Sequence, residues 1–295
     1  MKTKTISGCF LAILVAVIIV AACAWFAYKM RETTVENPPT NEPPPTSTAP
    51  TSKESESTLN KFLPLGNPSN AVFNQSSPDN YLMQGEYFSL SYNRSKGIPN
   101  WVMWRLNKNS FGEAERQNDF RPDERLPNGW TIITPKDYTN SGYDRGHLCP
   151  SADRSNSEGA NSTTFLMTNM APQTHDLNAG PWEKLESYSR SVARRNMTLY
   201  IIAGQYGDKG KIKNKITIPT NFWKIIIAVP NGESINKNSR IVAVDMPNVT
   251  GISNTNWRDY KTTVQQLEQK TGYNFLSSLT ADVQSVLKTQ IDTKQ

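Results

Sequence analysis

The run Ile6–Tyr28, ISGCFLAILVAVIIVAACAWFAY, constrains this chain more than any other feature: 23 residues pass without a charge. A helix rising ~1.5 Å per residue over that length would cross a hydrocarbon core of ~30 Å. Lys2 and Lys4 precede the run and Lys29 and Arg31 follow it, so the basic flanks orient it only weakly. Residues 1–31 are expected to form an uncleaved signal anchor, a transmembrane helix. Two alternatives stay open: cleavage as a signal peptide near the small residues of AACA and AWFA, and lipidation at Cys23, whose Val20-Ala21-Ala22-Cys23 setting resembles a lipobox. Residues 32–58 are rich in Pro, Ser, Thr and Glu and nearly free of large apolar groups. Such a stretch cannot bury enough surface to offset its ordering entropy, and a disordered tether is expected. Residues 59–295 are then the folded domain. They would lie outside the cytoplasm with the membrane as a partner, or be secreted if the N-terminus is cleaved.

The first 59 residues hold five basic and five acidic side chains, so the net charge of +6 falls on the remainder. A modestly basic domain suits a polyanionic partner, since neutralising phosphates releases counterions. A mildly basic surface without a partner is the plainer alternative. Cys149 is the only cysteine of the domain, which excludes an intradomain disulfide and any Cys/His zinc spacing. It is expected to be a buried, inert thiol. Imidazole chemistry must use His147 or His175, the only two histidines.

Short β-branched and aromatic runs predict strands at 87–92, 101–104, 199–203, 223–229 and 241–244. Helical patterns run from Pro181 to Ala193 and from Trp257 to Leu267, with Gly272 as a C-terminal stop. The elements do not alternate regularly, so the class is α+β.

Chemistry-bearing residues concentrate from Tyr143 to Arg190. In Asp144-Arg145-Gly146-His147 a glycine would let the chain turn tightly and bring the imidazole to a surface. Histidine is the side chain suited to general-base work near neutrality. Further along, Asn178, Glu186 and Arg190 are spaced by multiples of four, which spreads them over one broad helix face. Leu185, Tyr188 and Val192 form the adjacent apolar stripe. An amide and a carboxylate oxygen suit a hard cation such as Mg²⁺ that keeps several waters. Taken alone, each signal has a plainer explanation: an exposed histidine, and a solvated Glu186–Arg190 pair.

Several ordered stretches together are more specific. Asp144-Arg145-Gly146-His147, Pro150-Ser151-Ala152-Asp153-Arg154, Phe165 to Gln173 (FLMTNMAPQ), Asn178, Trp182 and Leu185-Glu186 resemble the DNA/RNA non-specific endonuclease family, the DRGH group of ββα-metal nucleases, nearest its cyanobacterial branch. RQNDFRPDERLPNGW and TGYNFL extend the likeness, which runs from about Asn67 to Ser278. The resemblance implies a ββα-metal nuclease fold, a central antiparallel sheet flanked by helices. It implies hydrolysis of single- and double-stranded DNA and RNA to 5′-phosphate ends, with one Mg²⁺ that Mn²⁺ can replace. Residue by residue, it makes His147 the general base, Asn178 the direct metal ligand and Glu186 a ligand through water. Arg116, Arg145 and Arg190 become the catalytic arginines, and Asp144 and Asn169 supporting residues. His175 falls where the family requires no histidine, and a surface position is expected. A binder without catalysis, capturing DNA for uptake, is the competing class; the intact His147, Asn178 and Glu186 argue for the enzyme.

Overall fold

The computed structural model describes residues 63–294. Seven antiparallel strands make the central sheet, in the order β1 (Tyr81–Met83), β2 (Ser89–Asn93), β3 (Ile98–Leu106), β6 (Met197–Tyr206), β9 (Asn221–Pro230), β10 (Arg240–Pro247) and β11 (Lys261–Thr262). Between β3 and β6 the chain makes a separate hairpin, β4 (Asp144–His147) against β5 (Met170–Gln173). Between β6 and β9 it makes a smaller one, β7 (Lys211–Ile212) against β8 (Ile216–Thr217). The helices are α1 (Glu158–Thr163), α2 (Glu183–Ala193), α3 (Val264–Thr271) and α4 (Ala281–Leu287). This is the α+β class, a central antiparallel sheet flanked by helices.

The sheet is covered on both faces, which explains why β9 reads FWKIIIAV rather than as a strict apolar–polar alternation. Phe222, Ile226 and Ala228 join one core with Trp182 and Leu185 of the segment around α2. Trp223, Ile225, Ile227 and Val229 join a second with Val264 and Leu267 of α3, Leu287 of α4, and Phe275 from the segment between those helices. Each predicted strand lies within or overlaps an observed one.

The helix expected from Trp257 to Leu267 is instead three elements. Trp257–Tyr260 is a 3₁₀ turn, Lys261–Thr262 pairs with β10, and α3 starts only at Val264. Thr263 accepts from the Gln266 backbone N–H while the Gln266 side chain reaches back, a capping box that fixes the start. Gly272 ends α3 in a left-handed conformation, as expected.

The expected transmembrane helix is a correction. Among the described residues no helix is long and apolar enough to cross a membrane. The longest, α2, has 11 residues, about half of the ~20 a span requires. Ile6–Tyr28 itself lies outside the described residues, as does the tether at 32–58. The signal anchor, the membrane as partner, and placement outside the cytoplasm by anchoring or by cleavage are accordingly not carried forward.

Candidate active site

Two local devices shape the site. The first is the β4–β5 hairpin, which carries Asp144, Arg145 and His147. Gly146 does not sit at a turn, contrary to the sequence reading. It is buried within β4, where an added Cβ would run into the Gln173 side chain, so the tight approach of that side chain is what requires glycine. Asn169 braces the end of the hairpin. Fully buried, it donates to the Cys149 and Thr164 carbonyls, both at 2.8 Å, and accepts from the Cys149 N–H at 3.0 Å.

The second device is a break before α2. Asn178–Trp182 forms a wide π-type turn in which Gly180 has φ −102° and ψ −119°, outside helical geometry. A side chain at Gly180 would meet the Ser253 backbone. Asn178 is therefore not on the same regular helix as Glu186 and Arg190, and their spacing by fours is not what aligns them. The kink turns Asn178 inward instead, and all three residues line one cavity of about 610 Å³. Arg116, Asp144, Arg145 and His147 line the same cavity. Of the residues expected at the site, only Asn169 lies behind the wall.

The His147 ring is half-buried and packs edge-on against Phe165 and Phe120, with ring centres 5.0 and 5.5 Å away. Its Nε2 is buried without a hydrogen-bond partner among the described residues. Desolvation, then the charges of Arg116 and Arg145, lower its pKa to about 3. A histidine depressed this way is neutral at pH 7, the form that accepts a proton. The two arginines are held by the aromatics that enclose the histidine. The Arg116 guanidinium lies 4.8 Å from the Phe165 ring centre, and that of Arg145 lies 4.1 Å from Phe120.

Asp144 Oδ2 accepts from Asn178 Nδ2 and contacts His175 Nδ1, both at 2.9 Å. Tying the amide nitrogen fixes the amide flip and leaves the Asn178 carbonyl oxygen as the free donor atom. His175 is exposed as expected, with a side chain 78% accessible. Its contact with Asp144 was not foreseen. Cys149 is buried as expected, with its thiol pushed up to about 12 by burial.

The sequence reading missed Lys224 and the role of Asp153. Lys224, from β9, is 1% exposed and pairs with Glu186 at 3.2 Å. Its ammonium lies 4.0 Å from the Trp182 ring centre. Burial raises the Glu186 pKa, and Lys224 is the strongest influence opposing that rise. Asp153, also buried, accepts from Trp104 Nε1 at 3.0 Å and faces Arg190 at 3.5 Å. The only advance signal was the isolated lysine in FWKIIIAV and the aspartate in the quoted Pro150–Arg154 stretch.

No group of three or more His, Cys, Asp or Glu side chains is placed to hold a metal among the described residues. The amide and carboxylate oxygens lining the cavity are those of Asn178, Glu186, Asp144 and Glu183; Asp144 is engaged with Asn178 and His175, and Glu183 with Ser187 and Arg190. That sparse oxygen set fits a hard divalent ion that keeps most of its waters, and does not fit a zinc-type cage.

A cavity with a neutral imidazole, clustered arginines and amide and carboxylate oxygens defines a phosphoryl-transfer class of site. The DNA/RNA non-specific endonuclease family model matches residues 65–282, and the chain belongs to that family. It is 45% identical over 251 residues to a nuclease of a Nostoc species, covering 83% of this chain and 91% of that protein. It is 31% identical over 207 residues to the mitochondrial nuclease EXOG of Danio rerio, covering 64% and 59%. The mitochondrial nuclease of Saccharomyces cerevisiae is 30% identical over 222 residues, covering 68% and 67%. A chain in the crystal structure of the EndoG/EndoGI complex shares the fold with a TM-score of 0.65 at 23% identity, covering 82% of this chain and 97% of that one. The protein is a sugar-non-specific nuclease, a phosphodiester hydrolase acting on DNA and RNA.

Proposed function

We propose that the cavity hydrolyses phosphodiesters by one-metal, histidine-base chemistry, leaving 5′-phosphate and 3′-hydroxyl ends, and that residues 59–295 are the catalytic unit. The observation that carries this is His147, held neutral in the cavity that Arg116, Arg145, Asn178 and Glu186 also line. His147 takes the proton from the attacking water as the new P–O bond forms and the bond to the 3′ oxygen breaks, and the departing 3′ oxygen takes a proton from a water molecule to become the hydroxyl. Arg116, Arg145 and Arg190 hold the phosphoryl oxygens, where charge collects. Asn178, oriented by Asp144, would hold the ion directly, and Glu186 would hold it through water. Mg²⁺, or Mn²⁺ in its place, would supply positive charge to the phosphoryl group when bound. Asn169 acts at a distance by fixing the strand end behind His147. Contacts to phosphate rather than to base edges carry no sequence information, which agrees with a non-specific substrate range.

The assignment of ligands is tested by titrating activity against metal. Asn178→Ala is expected to lose nearly all activity at any practical Mg²⁺ concentration, because the direct bond is gone. Glu186→Gln is expected to show a smaller defect that added Mg²⁺ or Mn²⁺ partly relieves. The reverse order, or full rescue of Asn178→Ala by excess metal, would show that the two roles have been exchanged.

A further inference from the structure

The helix that borders the active cavity has a second cleft on its other flank. Glu183, Glu186 and Arg190 of α2 face the active cavity. Lys184 and Tyr188 of the same helix, with Asn254, Asn256, Trp257 and Arg258, line a separate open cleft of about 410 Å³. At ~100° per residue, Lys184 and Tyr188 lie well round the helix from the active-site set, with Ser187 and Ser191 on the ridge between.

The cleft is built, not incidental. Lys184 is held against the opposite wall by donating to the Ser253 carbonyl at 2.9 Å. The Arg258 guanidinium lies over two rings, 4.5 Å from the centre of Trp257 and 5.2 Å from that of Tyr188. Tyr188 is itself fixed, since its hydroxyl accepts from Arg240. Asn256 spends its side-chain oxygen on the Arg258 N–H at 3.1 Å, leaving its amide nitrogen to donate. Arg258 Nε is buried without a partner, and neither Lys184 nor Arg258 has an acidic partner among the described residues.

We propose that this cleft is a second nucleic-acid subsite, holding the substrate strand on the far side of α2 from the scissile phosphate. Two cations without acidic partners suit phosphates, the amides of Asn254 and Asn256 suit base or sugar oxygens, and a guanidinium backed by aromatics offers a surface on which a base stacks. A helix with its side chains is ~10 Å across. A strand longer than the active cavity must therefore pass over this helix to fill both sites. The subsite commits the enzyme to polymeric substrates and rests on the nuclease reading above.

The test uses the full chain carrying His147→Ala, so that substrate survives. Binding of a fluorescein-labelled dinucleotide and of a labelled oligonucleotide of about 12 nucleotides is followed by anisotropy, with and without Lys184→Gln and Arg258→Gln. The long oligonucleotide is expected to bind about tenfold more weakly to the double variant, with its log–log salt slope reduced by roughly 1.5. The short one, which fills the active cavity alone, is expected to be unaffected. Equal affinities of parent and double variant for the long oligonucleotide, or an equal loss on both lengths, would overturn the subsite while leaving wild-type nicking untouched. Failure of the parent to bind either length, with no nicking by wild type, would remove the nuclease reading and the subsite together.

Discussion

Strand β9 sends Trp223, Ile225, Ile227 and Val229 to one face of the sheet, and Phe222, Lys224, Ile226 and Ala228 to the other. The first set meets a mostly apolar layer, with the Asp245–Lys270 pair at one end of it. Trp223 stacks edge-on with Phe275 at 4.9 Å between ring centres, and Val264, Leu267 and Leu287 close over it. The second set meets an apolar layer with buried charges in it: Lys224 on Glu186, and Asp153 on Arg190. A buried ion pair is a poor source of stability, because desolvating two charges offsets their attraction. The contrast therefore separates what one strand does for folding from what it does for the site. The dry face supplies stability. On the charged face Lys224 opposes the rise that burial imposes on the Glu186 pKa.

That division can be broken by mutation. The largest stability effect is expected on the dry face, where Trp223→Ala should cost about 3–5 kcal/mol by chemical denaturation. The turnover of the fraction that remains folded should be unchanged. An equal fall in turnover per folded molecule would mean that the two faces are not independent. A smaller stability loss is expected for Lys224→Met on the charged face, at or below the ~3–5 kcal/mol of a broken buried pair, because the Glu186 side chain still borders the cavity. Pairing it with Glu186→Leu should recover most of that stability without recovering activity. Recovery of both would make the ion pair a packing device only.

The two faces also differ in how far the sequence exposes them. The strands were legible because β-branched and aromatic runs mark them, and the helix face of Leu185 follows from its period. The β4–β5 hairpin was not. Asp-Arg-Gly-His carries too much charge and Met-Ala-Pro-Gln carries a proline, so their strand character comes from pairing with each other and not from propensity. Trp257 to Leu267 keeps a helical apolar period, yet Lys261 and Thr262 are taken by β10 and Thr263 caps a new start. Among functional candidates, His147, Asn178, Glu186 and the arginines were reached through motif resemblance, and they do line one cavity. The geometric argument that accompanied them, spacing by four on one helix, failed at the Gly180 kink. Lys224 was invisible for a different reason. In one dimension it is a polar break in an apolar strand, and only the register of β9 against β6 and the seat of α2 show that it reaches Glu186.

The central claim is that His147, kept neutral by its surroundings, is the base of a metal-dependent hydrolysis. Plasmid nicking by wild type and His147→Ala, side by side at neutral pH with Mg²⁺ and again with EDTA, addresses it directly. Wild type is expected to nick with Mg²⁺ and to stop in EDTA. His147→Ala, folded to the same degree by circular dichroism, is expected to be slower by at least ~10²-fold with Mg²⁺. Nicking by a folded His147→Ala at the wild-type rate, or wild-type nicking undiminished by EDTA, would contradict the account.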